Sequence, residues 1–215
     1  MTLILDLAAE HVPATLLRQQ RLARLVGDRI LDVDLPAGRA SFGEDLDFPM
    51  QLVGSVANTT KTFTWAWSAP DAAPPEVLRC VTALRDYGLK HELDELSQAV
   101  WHTEDVDPFL LASIARGWCQ ADALYRAPLP DGAVYLLLGQ VSLPPPEPHQ
   151  VVQALTTGIA LAPMDHRMAT MGLLADAQVS VTGLDEMVVA TVGQALVNIV
   201  FTPQGRIDDV SVSHL

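Results

Sequence analysis

Lysine is nearly absent from this chain: two lysines and eleven arginines face 26 aspartates and glutamates, for a formal charge of −13. So acidic a surface repels nucleic acid and anionic membranes, and it attracts a basic protein. Cysteine is almost as scarce, with only Cys80 and Cys119. They form no CxxC pair and no disulfide framework, and each sits in a helical pattern among apolar neighbours. Two buried free thiols and a reducing cytoplasm are therefore expected. No apolar run is long enough to span a bilayer, and the first residues lack the basic start of a signal peptide, with Asp6 interrupting the apolar stretch. The chain also lacks an HExxH pair, a nucleophile elbow, a Rossmann glycine pattern and a kinase signature. No cofactor is implied.

Apolar residues are plentiful, at 49% of 215, enough to build the core of one large or two small domains. Alternation through residues 61–67 places Phe63, Trp65 and Trp67 on one face of a strand and Thr62, Thr64 and Ala66 on the other. Met50 to Val56 is a second strand, joined to the first by a turn at Asn58-Thr59-Thr60. The three rings read as core sealed by helices, or alternatively as an aromatic-lined pocket with Thr62 and Thr64 available on the far face. Gly54 and Lys61-Thr62 are not a phosphate-binding loop, because Thr60 stands where a glycine is needed and a strand follows.

Elsewhere the pattern predicts a helix over about Ala14 to Val26, stopped by Gly27, with Arg18, Arg21 and Arg24 as a basic row. A hairpin follows, Ile30 to Asp34 and Arg39 to Phe42, around Leu35-Pro36-Ala37-Gly38. Asp32, Asp34, Glu44, Asp45 and Asp47 crowd this region but lack the loop geometry of a hard-cation site. A helix over Glu76 to Tyr87 offers Val77, Val81 and Leu84 as cover for the aromatic face, with Gly88 closing it. Asp107-Pro108 opens a further helix running to about Ala123. Ala133 to Leu138 reads as an interior strand. After the prolines of residues 141–148, which mark a linker, come two short helices and a β-meander, with a phase slip at Asp208-Asp209 that requires a bulge.

The best candidate for acid–base or metal chemistry is His91, Glu92 and Glu95, with His91 and Glu95 one helical turn apart, together with His102 and Glu104 further on. A surface cluster of acids around a lone histidine has the same pattern.

Four segments taken together resemble an uncharacterised bacterial family of unknown function: Gln51-Leu52-Val53-Gly54-Ser55, Phe63-Thr64-Trp65-Ala66-Trp67, Leu84-Arg85-Asp86-Tyr87-Gly88 and Ala123-Leu124-Tyr125-Arg126. The similarity covers roughly Arg21 to Leu138, and Phe201 to Ile207 more loosely. It implies a Gly-Ser strand, a Trp-x-Trp strand and a Tyr-Gly helix end, and no activity.

The expected fold is α+β, with an antiparallel sheet covered by helices over 1–140, a proline-rich linker over 141–148 and a helix-helix-meander unit over 149–215 packed on the first. Two functions from different classes fit. The first is a non-enzymatic binding protein, acting through self-association or, as an immunity or inhibitor protein would, on a basic protein partner. The second is a hydrolase-type enzyme using His91, Glu95, His102 and Glu104, with or without a metal.

Overall fold

The computed structural model describes residues 3–183 and 186–214. It is an α+β protein that divides into two compact units: Leu22–Leu143, and a discontinuous unit made of Met1–Arg21 with Pro144–Leu215. One break falls between Leu143 and Pro144, ahead of the three consecutive prolines. The N-terminal residues up to Arg21, however, cluster with the C-terminal part and not with the residues that follow them.

In the Leu22–Leu143 unit, β1 (Leu31–Asp34), β2 (Arg39–Phe42), β3 (Leu46–Ala57), β4 (Thr62–Trp65) and β5 (Val100–His102) pair in sequence order, and β7 (Gly132–Leu138) joins β3 to β6 (Ala123–Leu129). All pairings are antiparallel. β3 is long enough to change partners, pairing with β2 through residues 46–49 and with β4 and β7 beyond. The register on β7 slips between Leu52 and Gly54, which leaves Val53 as the extra residue of a bulge. Gly54 is required there by space: a Cβ would lie 2.7 Å from the Phe63 ring. The Gly-Ser strand thus exists to let the aromatic strand close against it.

Phe63 and Trp65 are fully buried, their rings 5.1 Å apart and edge to face. The third ring departs from the expected alternation. β4 ends at Trp65, and Trp67 sits in a 3-10 turn, Ala66–Ser68. The helix α2 (Pro75–Lys90) buries Val77, Leu78, Val81 and Leu84 as the pattern requires. It does not stop at Gly88. Gly88 is buried inside the last turn, where a Cβ would press to 2.7 Å from Leu96. The stop is Glu92, at φ 56°, with Leu93 N–H donating to Gly88 O at 2.9 Å. This is a Schellman ending with a non-glycine residue in the left-handed position. α3 (Asp94–Ser97) then starts anew, so His91 and Glu95 do not share a helix.

α4 (Pro108–Trp118) opens as expected, with the Asp107 carboxylate accepting from Phe109 N–H at 2.8 Å. It closes five residues earlier than Ala123, because Gln120 takes φ 53° and Ala121 N–H bonds Arg116 O at 3.0 Å. The freed chain forms β6, a strand hidden in the sequence by Pro128. Cys80 of α2 and Cys119 at the end of α4 are joined by a disulfide, with Cα atoms 6.0 Å apart. The expectation of free thiols is therefore corrected: contact between α2 and α4 brings together cysteines 39 residues apart. With both thiols paired, cysteine usage no longer points to a reducing compartment.

In the discontinuous unit, α5 (Pro148–Leu161) and α6 (His166–Asp176) pack together, and β8 (Ser180–Thr182), β9 (Met187–Val192), β10 (Ala195–Phe201) and β11 (Ile207–His214) form an antiparallel meander. The bulge falls where the phase slips, between Val200 and Phe201 opposite Asp208. The N-terminal helix α1 (Leu3–Val26) starts well before Ala14 and carries Pro13 inside it. Gly158 of α5 admits the Pro13 ring, and Gly172 of α6 admits the Glu10 backbone; a Cβ at Gly172 would lie 3.0 Å from the Glu10 Cα. Two members of the basic row are half-buried and engaged: Arg18 pairs with Asp176 at 2.6 Å, and Arg21 donates to Pro144 O at 2.6 Å. Burial, and then the neighbouring Arg18, hold the Arg21 pKa below its ordinary value. No described helix is long and apolar enough to cross a membrane.

Candidate functional site

The four residues considered for acid–base chemistry lie on separate elements. His91 ends α2 and stacks on Tyr87, ring centroids 4.2 Å apart. Glu95 belongs to α3, where its backbone carbonyl, not its carboxylate, accepts the Trp65 indole N–H at 3.0 Å. His102 is on edge strand β5 opposite Thr62. Glu104 forms an exposed ion pair with Lys61 at 2.7 Å. Glu92 serves as the left-handed helix stop. Among the described residues, no group of three or more histidine, cysteine, aspartate and glutamate side chains could hold a metal.

Of the aromatic-strand residues, Trp65 is core and has no surface to offer a ligand. Thr62 and Thr64 point to the other face and are partly exposed, with Thr62 bonded to Thr60 through their hydroxyls at 2.7 Å. Trp67 lies half-buried, with the Arg85 guanidinium 5.5 Å above its ring. Its indole N–H is buried without a hydrogen-bond partner among the described residues.

A cleft of about 490 Å³ opens elsewhere in this unit, lined by Gln51, Glu76, Arg79, Cys119 and Gln120 among others. Gln51 is held in place because its side-chain carbonyl accepts from Cys80 N–H at 2.8 Å. The disulfide ties together two of the cleft's walls, α2 and the end of α4. The sequence signals this site poorly, since its residues come from five separated segments with no shared motif.

The acidic end of the unit is a different kind of surface. Residues 28–47 carry six carboxylates and two arginines. Both arginines are occupied. Arg29 makes a two-pronged contact with Asp45, 2.9 Å on each arm, and Arg39 engages Asp47, which also accepts from Ser41. These hydrogen bonds hold the Asp45 and Asp47 carboxyls below the ordinary carboxylate range. Asp28, Asp32, Asp34 and Glu44 remain exposed with no countercharge bonded to them among the described residues.

Helices over a branched antiparallel sheet, joined to a helix-and-meander unit, define the class as an α+β protein. The chain belongs to the family of unknown function DUF6882, whose model matches residues 5–141. That match takes in the Gly-Ser strand, the aromatic strand and the Tyr-Gly helix, and it stops before the Phe201 to Ile207 turn. Comparison with curated proteins and with solved structures gives no match.

Proposed function

We propose that this is a non-enzymatic binding protein that engages a basic protein partner through its acidic surface, as an immunity or inhibitor protein does. The observation that carries this reading is the formal charge of −13, together with four uncompensated carboxylates gathered at the β1 end. Such a surface steers a basic partner into encounter and rejects acidic ones. The test is gentle purification from the host followed by native mass spectrometry across a salt series. A basic protein that co-purifies at low ionic strength and is released as salt rises supports the reading. A partner that is acidic, or whose affinity ignores salt, overturns it.

The cleft beside the disulfide favours a second reading, a small-molecule site using Gln51 and Arg79 as polar contacts. Ligand-dependent melting of the wild type, lost in Gln51→Ala, would favour this reading over the first.

A further inference from the structure

Resting on the basic-partner reading, we infer that β1 is the docking edge, and that its occupant is an extended segment of a partner protein in which lysine or arginine alternates with apolar residues.

β1 pairs with β2 on one side only. Gly43 N–H donates to Ile30 O at 3.1 Å, in register with the Leu31–Phe42 to Asp34–Arg39 pairing. In an antiparallel ladder, bonded residues alternate, so residues 30, 32 and 34 direct their backbone groups to β2. Leu31 and Val33 direct theirs outward, to an edge that no other strand occupies among the described residues. Two N–H and two C=O groups are thus presented in the pattern an added strand needs.

The side chains specify what that strand must carry. Asp32 and Asp34 share one face of β1, one pleat repeat apart, and Ile30 precedes them on the same face at 84% exposure. Leu31 and Val33 share the other face, opposite the buried Phe42 and Ala40, and Val33 is 40% exposed. An added strand places its own alternate side chains beside these two rows. Basic residues then lie against Asp32 and Asp34, and apolar ones extend the row of Leu31 and Val33. Aspartates on an edge also discourage self-pairing, so the surface that rejects a second copy of this chain is the one that selects a basic strand. An exposed isoleucine beside them does not serve repulsion.

Titration calorimetry on the intact protein tests this with a short peptide alternating lysine and valine. Three comparisons accompany it: the same peptide N-methylated on alternate amides, Asp32→Lys with Asp34→Lys, and the control Asp208→Lys with Asp209→Lys on β11. The lysine-valine peptide is expected to bind, and reversal on β1 to weaken it by about tenfold or more. Reversal on β11 should leave the affinity within about twofold, and N-methylation should abolish binding by removing backbone donors. Melting curves verify that each variant is folded. Failure of the peptide to bind, equal binding of the N-methylated peptide, or equal loss on β11 overturns the inference. A basic partner whose affinity is unchanged by the β1 reversal removes the β1 assignment and leaves the basic-partner reading intact. Absence of binding by any basic ligand at low salt removes both.

Discussion

Breaking the disulfide between Cys80 and Cys119 should cost one unit of this protein a substantial share of its margin of stability. The bridge closes a loop between residues 39 apart, and a loop of that size restricts the unfolded chain by roughly 4 kcal/mol in the chain-entropy treatment. The unit holding both cysteines has about 120 residues, so its unfolding entropy near the midpoint is about 0.25 kcal/mol/K and the loss corresponds to roughly 15 °C in Tm. The whole effect should appear in the Leu22–Leu143 unit, because both sulfurs belong to it. Scanning calorimetry of wild type, wild type in reductant, and the Cys80→Ser, Cys119→Ser double variant measures it. Reductant should bring the wild type down to the variant and leave the variant unmoved. Two titratable thiols in denatured, unreduced protein would refute the pairing. A variant that melts within about 2 °C of wild type would refute the energetic reasoning.

Three further outcomes follow from backbone and burial. Glu92→Gly should stabilise by about 1 kcal/mol, since a left-handed position costs any residue with a Cβ; urea unfolding checks this, and destabilisation would mean that the Glu92 side chain supplies something the helix ending does not explain. Gly172→Ala should destabilise by ~1–3 kcal/mol, because the added methyl meets the Glu10 backbone and not a movable side chain; an unchanged midpoint would show that α6 shifts freely away from α1. Burial raises the Tyr135 phenol above its ordinary value, against a smaller opposing pull from Arg126. The folded state therefore keeps a proton that the unfolded state releases, so this contribution is intact below the ordinary tyrosine range and is lost as pH climbs through the raised value. Tyr135→Phe should flatten the alkaline fall in Tm; an unchanged slope would place its cause elsewhere.

Much of the fold was readable because its signals are local. Asp107-Pro108 names a helix start, Gly27 a helix stop, and the phase slip at Asp208-Asp209 a bulge, each through the few atoms next to it. The misread helix ends share one cause. Glu92 and Gln120 both take the left-handed conformation that usually advertises itself as glycine, so the sequence alone extends α4 too far and hides its successor β6. Gly88, conversely, looked like a stop and is a packing contact. The candidate site was less legible. The disulfide depends on how two helices meet, and the cleft draws on five segments, neither of which periodicity encodes. The acidic end was visible in composition, but that β1 is an edge with outward-facing backbone required the strand order.

The helix α1 has its own problem of timing. Its residues up to Arg21 are synthesised well before their helical partners, since α5 begins only at Pro148. At ordinary synthesis rates that interval is on the order of ten seconds. Throughout it, α1, whose Ala8, Ala9, Val12 and Leu17 are fully buried in the finished protein, lacks the α5 and α6 surfaces that its Pro13 and Glu10 meet. The strands that follow can pair within themselves meanwhile. A nascent-chain chaperone would find its binding segment in α1, and slowed translation between residues 21 and 148 would penalise this protein more than one folded in sequence order.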